Sequence, residues 1–178
     1  MALIKLNNQS LSAVTSAGLP SGTVLQVVQA TETARISKAS TSTNNFTAAF
    51  MSGTITPSSS NSKILVIASG TIGWESGTCH LKVIRGSTDI YRGDANGSRL
   101  QSANSFRHAA TTYTLTMDTF NITFLDSPAT TSATTYNLVG SLGDTYSGDI
   151  VLNGTENNTN ASYGGASASS ITLMEIAG

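Results

Sequence analysis

Ten carboxylates, two histidines and one cysteine are the side chains here with the types to make or break bonds. Asp89, Asp94, Asp118, Asp126, Asp144, Asp149 and Glu156 supply acids enough for a pair of the glycoside-cleaving kind. None sits in a recognisable motif. Asp94, Asp126 and Asp149 lie beside Gly or Ser-Pro and read as turn caps. The run Asp94-Ala95-Asn96-Gly97 opens like a calcium loop but lacks the closing carboxylate, so it reads as an Asn-Gly turn. His80 and His108 are far apart and no cysteine pair joins them, which removes the usual zinc spacing. His80 reads as a solvent-facing or interface strand residue, and His108, beside Arg107, as a polar loop contact. Cys79 has no partner for an internal disulfide and reads as a small, half-buried strand residue. Serine is so common that a Ser-His-Asp set is expected by chance. No glycine-rich phosphate loop opens a helix. The expectation is a non-enzyme with no catalytic residue, cofactor or metal.

The composition explains why the chemistry is sparse. Only 11% of the 178 residues are charged, less than half the usual share, while Ser and Thr exceed a quarter. Thr suits strands; Gly, Asn and Ser suit tight turns. Net charge is −1, which argues against disorder and against a general attraction to nucleic acid. No Lys/Arg run favours a membrane surface, and no membrane insertion is expected. The Asn-x-Ser/Thr triplets at Asn45, Asn121 and Asn153 are what this composition produces by chance. The opening residues show no secretory pattern. A hydroxyl-rich surface on a chain without an export signal fits a particle component released by lysis.

The elements that must position any site read as strands. Residues 64–68, Ile-Leu-Val-Ile-Ala, form the longest aliphatic run, between turn clusters, and predict a central strand buried on both faces. Around it, strands are expected at 23–30, 33–38 and 46–55, the last with Phe46, Ala48, Phe50 and Ser52 on one face. Further strands are expected at 78–85 and 88–92, joined as a hairpin by Gly86-Ser87, and at 112–117, 120–125, 134–142, 148–152 and 169–177. In 78–85, Cys79, Leu81 and Val83 alternate with His80, Lys82 and Ile84, whose face meets water or a partner. Residues 93–108 form the longest irregular region, a candidate contact loop presenting Asp94, Asn96, Arg99, Arg107 and His108. The pattern predicts an all-β fold, an antiparallel β-sandwich of jelly-roll type spanning 23–178. Residues 1–22 predict an extended N-terminal arm. Its apolar Leu3, Ile4, Leu6, Leu11 and Val14 are expected to lie on the chain's own domain or to contact a neighbouring subunit, with Gly18, Pro20 and Gly22 as a hinge.

Four segments carry a resemblance. They are Ala2-Leu3-Ile4-Lys5-Leu6, the stretch 19–28 (Leu-Pro-Ser-Gly-Thr-Val-Leu-Gln-Val-Val), the stretch 56–66 (Thr-Pro-Ser-Ser-Ser-Asn-Ser-Lys-Ile-Leu-Val) and the closing 169–177. The chain resembles small virion structural proteins of tailed bacteriophages, especially those infecting marine bacteria. The resemblance spans both ends and the first third of the body. It implies a homotrimer on the exterior of the virion, of capsid decoration (cement) or tail-fibre-tip type. It also implies partners among the phage major capsid protein or other virion proteins, and for a tip a host surface glycan or receptor. These patterns are structural, so no family binding residue transfers to this chain. A fibre usually carries a long repetitive or coiled-coil shaft, and none is visible, which places decoration first and the fibre or spike tip as the alternative. A depolymerase would need a long solenoid and a carboxylate cleft.

Overall fold

The computed structural model describes residues 19–40, 45–108, 115–143, 148–162 and 164–178. Within them, eleven strands and no helix build two antiparallel sheets. In chain order they are β1 (Val24–Glu32), β2 (Ile36–Ser40), β3 (Met51–Ile55), β4 (Lys63–Trp74), β5 (Gly77–Arg85) and β6 (Thr88–Tyr91). They continue as β7 (Asn104–His108), β8 (Asp118–Asp126), β9 (Thr134–Leu142), β10 (Gly148–Leu152) and β11 (Ser169–Ile176).

The spine of the first sheet is β4. Along one edge runs β8, from Ile64 opposite Asp126 to Ile72 opposite Asp118. The other edge is shared by β11, against residues 63–69, and β10, against residues 72–74. Ile72 faces both Leu152 and Asp118, so β10 and β8 must lie on opposite sides. Outside these, β1 pairs with β11 and β2 with β10. In the second sheet β9 lies along one edge of β5 with β3 beyond it, while β7 and β6 share the other edge. Each sheet is therefore four strand lines wide, and three lines (β1/β2, β6/β7 and β10/β11) are interrupted by excursions.

One side chain ties two of those interruptions together. Asn153, at φ 63°, takes the left-handed conformation that Asn tolerates better than most residues. Its amide nitrogen donates to the carbonyls of Glu32 (2.7 Å) and Ala34 (3.1 Å), and its oxygen accepts from Ser169 Oγ at 2.6 Å. The break in β1/β2 is thus pinned to the break in β10/β11.

The core lies between the sheets. Ile64, Val66, Ala68, Ile72 and Trp74 from β4 meet Cys79, Leu81 and Val83 from β5, with Tyr136 and Leu138 from β9 and Ile171 and Leu173 from β11. Alternation along each strand puts these residues on one face. The sheets come close at Gly53, where an added Cβ would sit 3.1 Å from Leu173 Cδ1 and 3.2 Å from Ile171 Cγ2.

Several expectations need correction. The central run is not buried on both faces: Ile64, Val66 and Ala68 are buried, but Leu65 and Ile67 are only half-buried on the outer face. In 46–55 the strand begins at Met51, and Met51, Gly53 and Ile55 face inward while Ser52 is exposed. Phe50 is buried just ahead of the strand, where its N–H bonds Leu138 O, so two consecutive buried residues shift the alternation by one. The second strand begins at Ile36, not at residue 33. Residues 115–117 are not strand, and 112–114 lie outside the described residues; Asp118 and Thr119 open β8 rather than forming a turn. The last five residues of the expected irregular region form β7.

Candidate functional site

The excursion between β6 and β7 is the expected contact loop, shortened. Gly93 N bonds Ser102 O at 3.1 Å and Gln101 Nε2 donates to Gly93 O at 2.8 Å, which closes its neck. Gly97, at φ 59°, and a bond from Arg99 N to Asn96 O at 3.2 Å make the Asn-Gly turn at its tip. Asp94, Asn96 and Arg99 are exposed on it. Arg107 and His108 are not on this loop. They belong to β7, with Arg107 exposed and His108 turned inward, so the five expected contact residues do not form one site.

What the loop does build is a cleft of about 260 Å³ lined by Phe46, Lys82, Asp89, Arg92, Arg99 and Leu100, with Gln101 at its side. Lys82 leaves the outward face of β5, and only 8% of it is accessible. Its ammonium lies 3.8 Å from the centre of the Phe46 ring and 2.6 Å from Asp89 Oδ1. Arg92 Nη1 holds the other oxygen of Asp89 at 2.7 Å. Two cations, Lys82 and Arg92, thus share one carboxylate. Asp89 is a structural counter-ion here, because removing it would strand a buried ammonium.

His108 stacks on Trp74 with ring centres 3.9 Å apart and planes 11° from parallel. Its Nε2 meets Asp118 Oδ2 at 3.0 Å and its Nδ1 meets Thr116 Oγ1 at 3.2 Å. This acid–imidazole–hydroxyl chain has the composition of a catalytic set, yet none of the three residues lines the cleft above. A second cleft, of about 390 Å³, is walled by Arg35, Thr155 and the Asn-rich residues 157–161, again without them. Arg35 there is committed to backbone, donating to Thr155 O (3.1 Å) and Glu156 O (2.7 Å). Burial, with the charges of Glu75 and Asp149, raises the Glu156 carboxyl above its ordinary range, against the opposing charge of Arg35.

Two other acids are structural. Asp126 is not a turn cap: it is buried at the end of β8, where one oxygen accepts from Arg85 Nη1 and from the Tyr136 hydroxyl, both at 2.7 Å. Burial pushes the Tyr136 phenol up, and its bond to the carboxylate pushes it further. Asp149 accepts from Ser37 Oγ across the β2–β10 pair rather than capping a turn. Cys79 is fully buried rather than half-buried, and burial raises its thiol strongly, so it is not a poised nucleophile.

The outer face of the first sheet holds residues that periodicity did not single out as a group. Val27 on β1 lies opposite Met174 on β11, Met174 opposite Leu65 on β4, and Leu65 opposite Leu125 on β8. The result is an apolar row across all four strand lines, about 14 Å wide at the usual strand spacing. Its ends are open: Val27 is 55% and Leu125 51% accessible. Half-buried Ile67 and Ile176 extend it along β4 and β11. The neighbouring row is mostly polar, with Gln29, Thr172 and Thr123 around Ile67. The sequence reading placed Leu65 in a strand buried on both faces and grouped none of these residues; the register aligns them on the outer face.

The arm candidates Leu3, Ile4, Leu6, Leu11 and Val14 lie outside the described residues. No protein-family model matches this chain, and no curated protein matches it.

Proposed function

We propose that this protein is a non-enzymatic structural component of a tailed-bacteriophage virion, exposed on the particle's exterior. In this reading it assembles as a homotrimer and acts as a capsid decoration protein. The observation that carries the proposal is the in-register row Val27, Met174, Leu65 and Leu125 on the outer face of the first sheet. An outward sheet face of a solvated sandwich is ordinarily polar, and a continuous apolar row there favours a protein neighbour. We assign that neighbour to another copy of this chain.

Strand order supports the jelly-roll form of the sandwich. Counted as lines in chain order, β1/β2 is first, β3 second, β4 third, β5 fourth, β6/β7 fifth, β8 sixth, β9 seventh and β10/β11 eighth. The sheets then run 1-8-3-6 and 2-7-4-5, the two interleaved four-stranded sheets of a jelly roll. A jelly roll presents loops at its ends and flat faces at its sides, which suits lateral packing in a shell.

The mechanism is linkage. A decoration protein binds the assembled shell and not its dispersed subunits, so it shifts the equilibrium toward the shell. Three joined subunits raise the effective concentration of every contact after the first. The charged cleft beside the 92–103 loop favours the second reading, a fibre or spike tip that meets a host surface glycan or receptor.

Light scattering on the purified protein at micromolar concentration should give about three times the 18.3 kDa chain mass. Leu125→Asp should return it to a monomer with its circular dichroism intact. A wild-type monomer would remove the oligomeric basis of the proposal. Electron micrographs of virions labelled for this chain should show it over the capsid; label confined to the tail would select the second reading.

A further inference from the structure

We propose that the cleft between Phe46, Lys82 and the 92–103 loop binds a sugar acid, with the carboxylate held by Arg99 and Arg92 and the ring against Phe46 and Leu100. The inference is independent of the shell-stabilising reading and stands or falls on this cleft alone.

Charge comes first. Lys82, Arg92 and Arg99 line the cleft together with a single acid, Asp89. Both oxygens of that acid are already engaged, Oδ1 by Lys82 and Oδ2 by Arg92. Arg99 makes no ion pair with any described residue, and its exposed guanidinium stands at the rim. A guanidinium presents a planar fork of donors that fits a carboxylate with two parallel bonds. The cleft therefore has anion-binding capacity beyond what Asp89 uses.

Shape and neighbours narrow the class. About 260 Å³ accommodates one saccharide ring, free or as one residue of a longer chain. Phe46 and Leu100 offer apolar walls to the C–H face of a ring, while Gln101 offers an amide near its hydroxyls. Lys82 is fixed from three sides, by the β5 backbone, the Phe46 ring and Asp89, so the positive floor of the cleft is preorganised. Nucleic acid is disfavoured because the chain as a whole carries a net charge of −1 and the cations form one spot rather than a stripe.

The source of the sugar acid, free or within a polysaccharide, is decided by the test. Isothermal titration calorimetry would compare galacturonate, trigalacturonate, maltotriose and sodium sulfate on the full chain. Expected is binding of both uronates, tighter for the trimer if the physiological ligand is a polysaccharide and equal for the two if it is the free sugar, with maltotriose silent. Arg99→Ala should weaken uronate binding about tenfold or more, the loss expected for one charge-assisted contact. Arg107→Ala, an exposed cation outside the cleft, should leave it unchanged. Affinity should fall as salt rises from about 0.05 M to about 0.5 M. Equal binding of maltotriose, no binding of either uronate, or an Arg99→Ala protein that binds like wild type with its dichroism intact would overturn the proposal. Sulfate binding as tightly as trigalacturonate would overturn it as well, leaving an adventitious ion only.

Discussion

Glu175→Gln tests whether a buried charge holds the closing strand in place. Glu175 is on the inward face of β11 and 1% accessible. Its Oε1 accepts from Ser58 N and Ser58 Oγ, both at 2.7 Å, and its Oε2 accepts from Gln26 Nε2 at 2.6 Å. Burial alone would raise its pKa, but these donors, from Gln26 and Ser58, outweigh it and hold the carboxyl below its ordinary value. Glutamine keeps the shape and replaces one acceptor with a donor. Placed toward Ser58, that NH₂ meets two donors; placed toward Gln26, it meets one. Rotating the Gln26 amide to accommodate it would forfeit the bond from Gln26 Nε2 to Thr56 O at 2.8 Å. At least one charge-assisted bond is lost whichever way the amide turns, worth about 1.5–3 kcal/mol. For a chain of this length that lowers the melting temperature by about 3–12 °C. The pH dependence carries a sign. A carboxyl whose folded pKa is depressed contributes stability that is complete above its unfolded value of about 4.3 and is lost as pH falls through the folded value. Thermal unfolding followed by circular dichroism between about pH 3 and pH 7 should show wild type losing stability at the acid end. Glu175→Gln should begin lower and slope less there. A variant within about 0.5 kcal/mol of wild type at neutral pH, with the same acid slope, would refute the claim that this carboxylate is ionised and structural.

Tyr136→Phe removes one of the two donors to the buried Asp126 and should cost about 1.5–3 kcal/mol by chemical denaturation, with Arg85 still paired. Gly73→Ala places a Cβ 2.5 Å from the backbone oxygen of Gly154, which cannot move aside cheaply, so a loss above about 2 kcal/mol in the same assay is expected. On the proposed virion role, a chain lacking residues 1–19 should retain the eleven strands of the described residues and unfold cooperatively, yet rebind virions stripped of this protein more weakly than the full chain; equal rebinding would remove the arm from the contact.

Most strands were legible because strand alternation is local; β7, inside the stretch expected to be irregular, was not. Cys79, Leu81 and Val83, or Ile171, Leu173 and Glu175, declare their shared face through two-residue spacing alone. Even the buried Glu175 follows from that parity. The reading failed where the chain changes parity, as at Phe50 and Met51, because a buried residue just outside a strand obeys the path of the loop and not the pleat. It failed again at Asp126, whose Ser-Pro neighbours suggest a turn. Its role is set by Arg85 and Tyr136, which reach it from the other sheet.

The candidate sites were the least legible, for the same reason. Composition alone told that this chain has little charge to spend on chemistry and much hydroxyl surface to fold as strands. Asn96 and Gly97 foretold their turn, and the length of the 93–108 stretch foretold a feature worth attention. Only the fold put Phe46 and Lys82 under Arg99, because the first comes from the approach to β3, the second from β5 and the third from the loop after β6. The row from Val27 through Met174 and Leu65 to Leu125 draws on four distant segments. Side-chain parity within a strand is a property of covalent geometry, so the sequence determines it. Which strands lie side by side, and in what register, depends on burial energy summed over the whole sandwich.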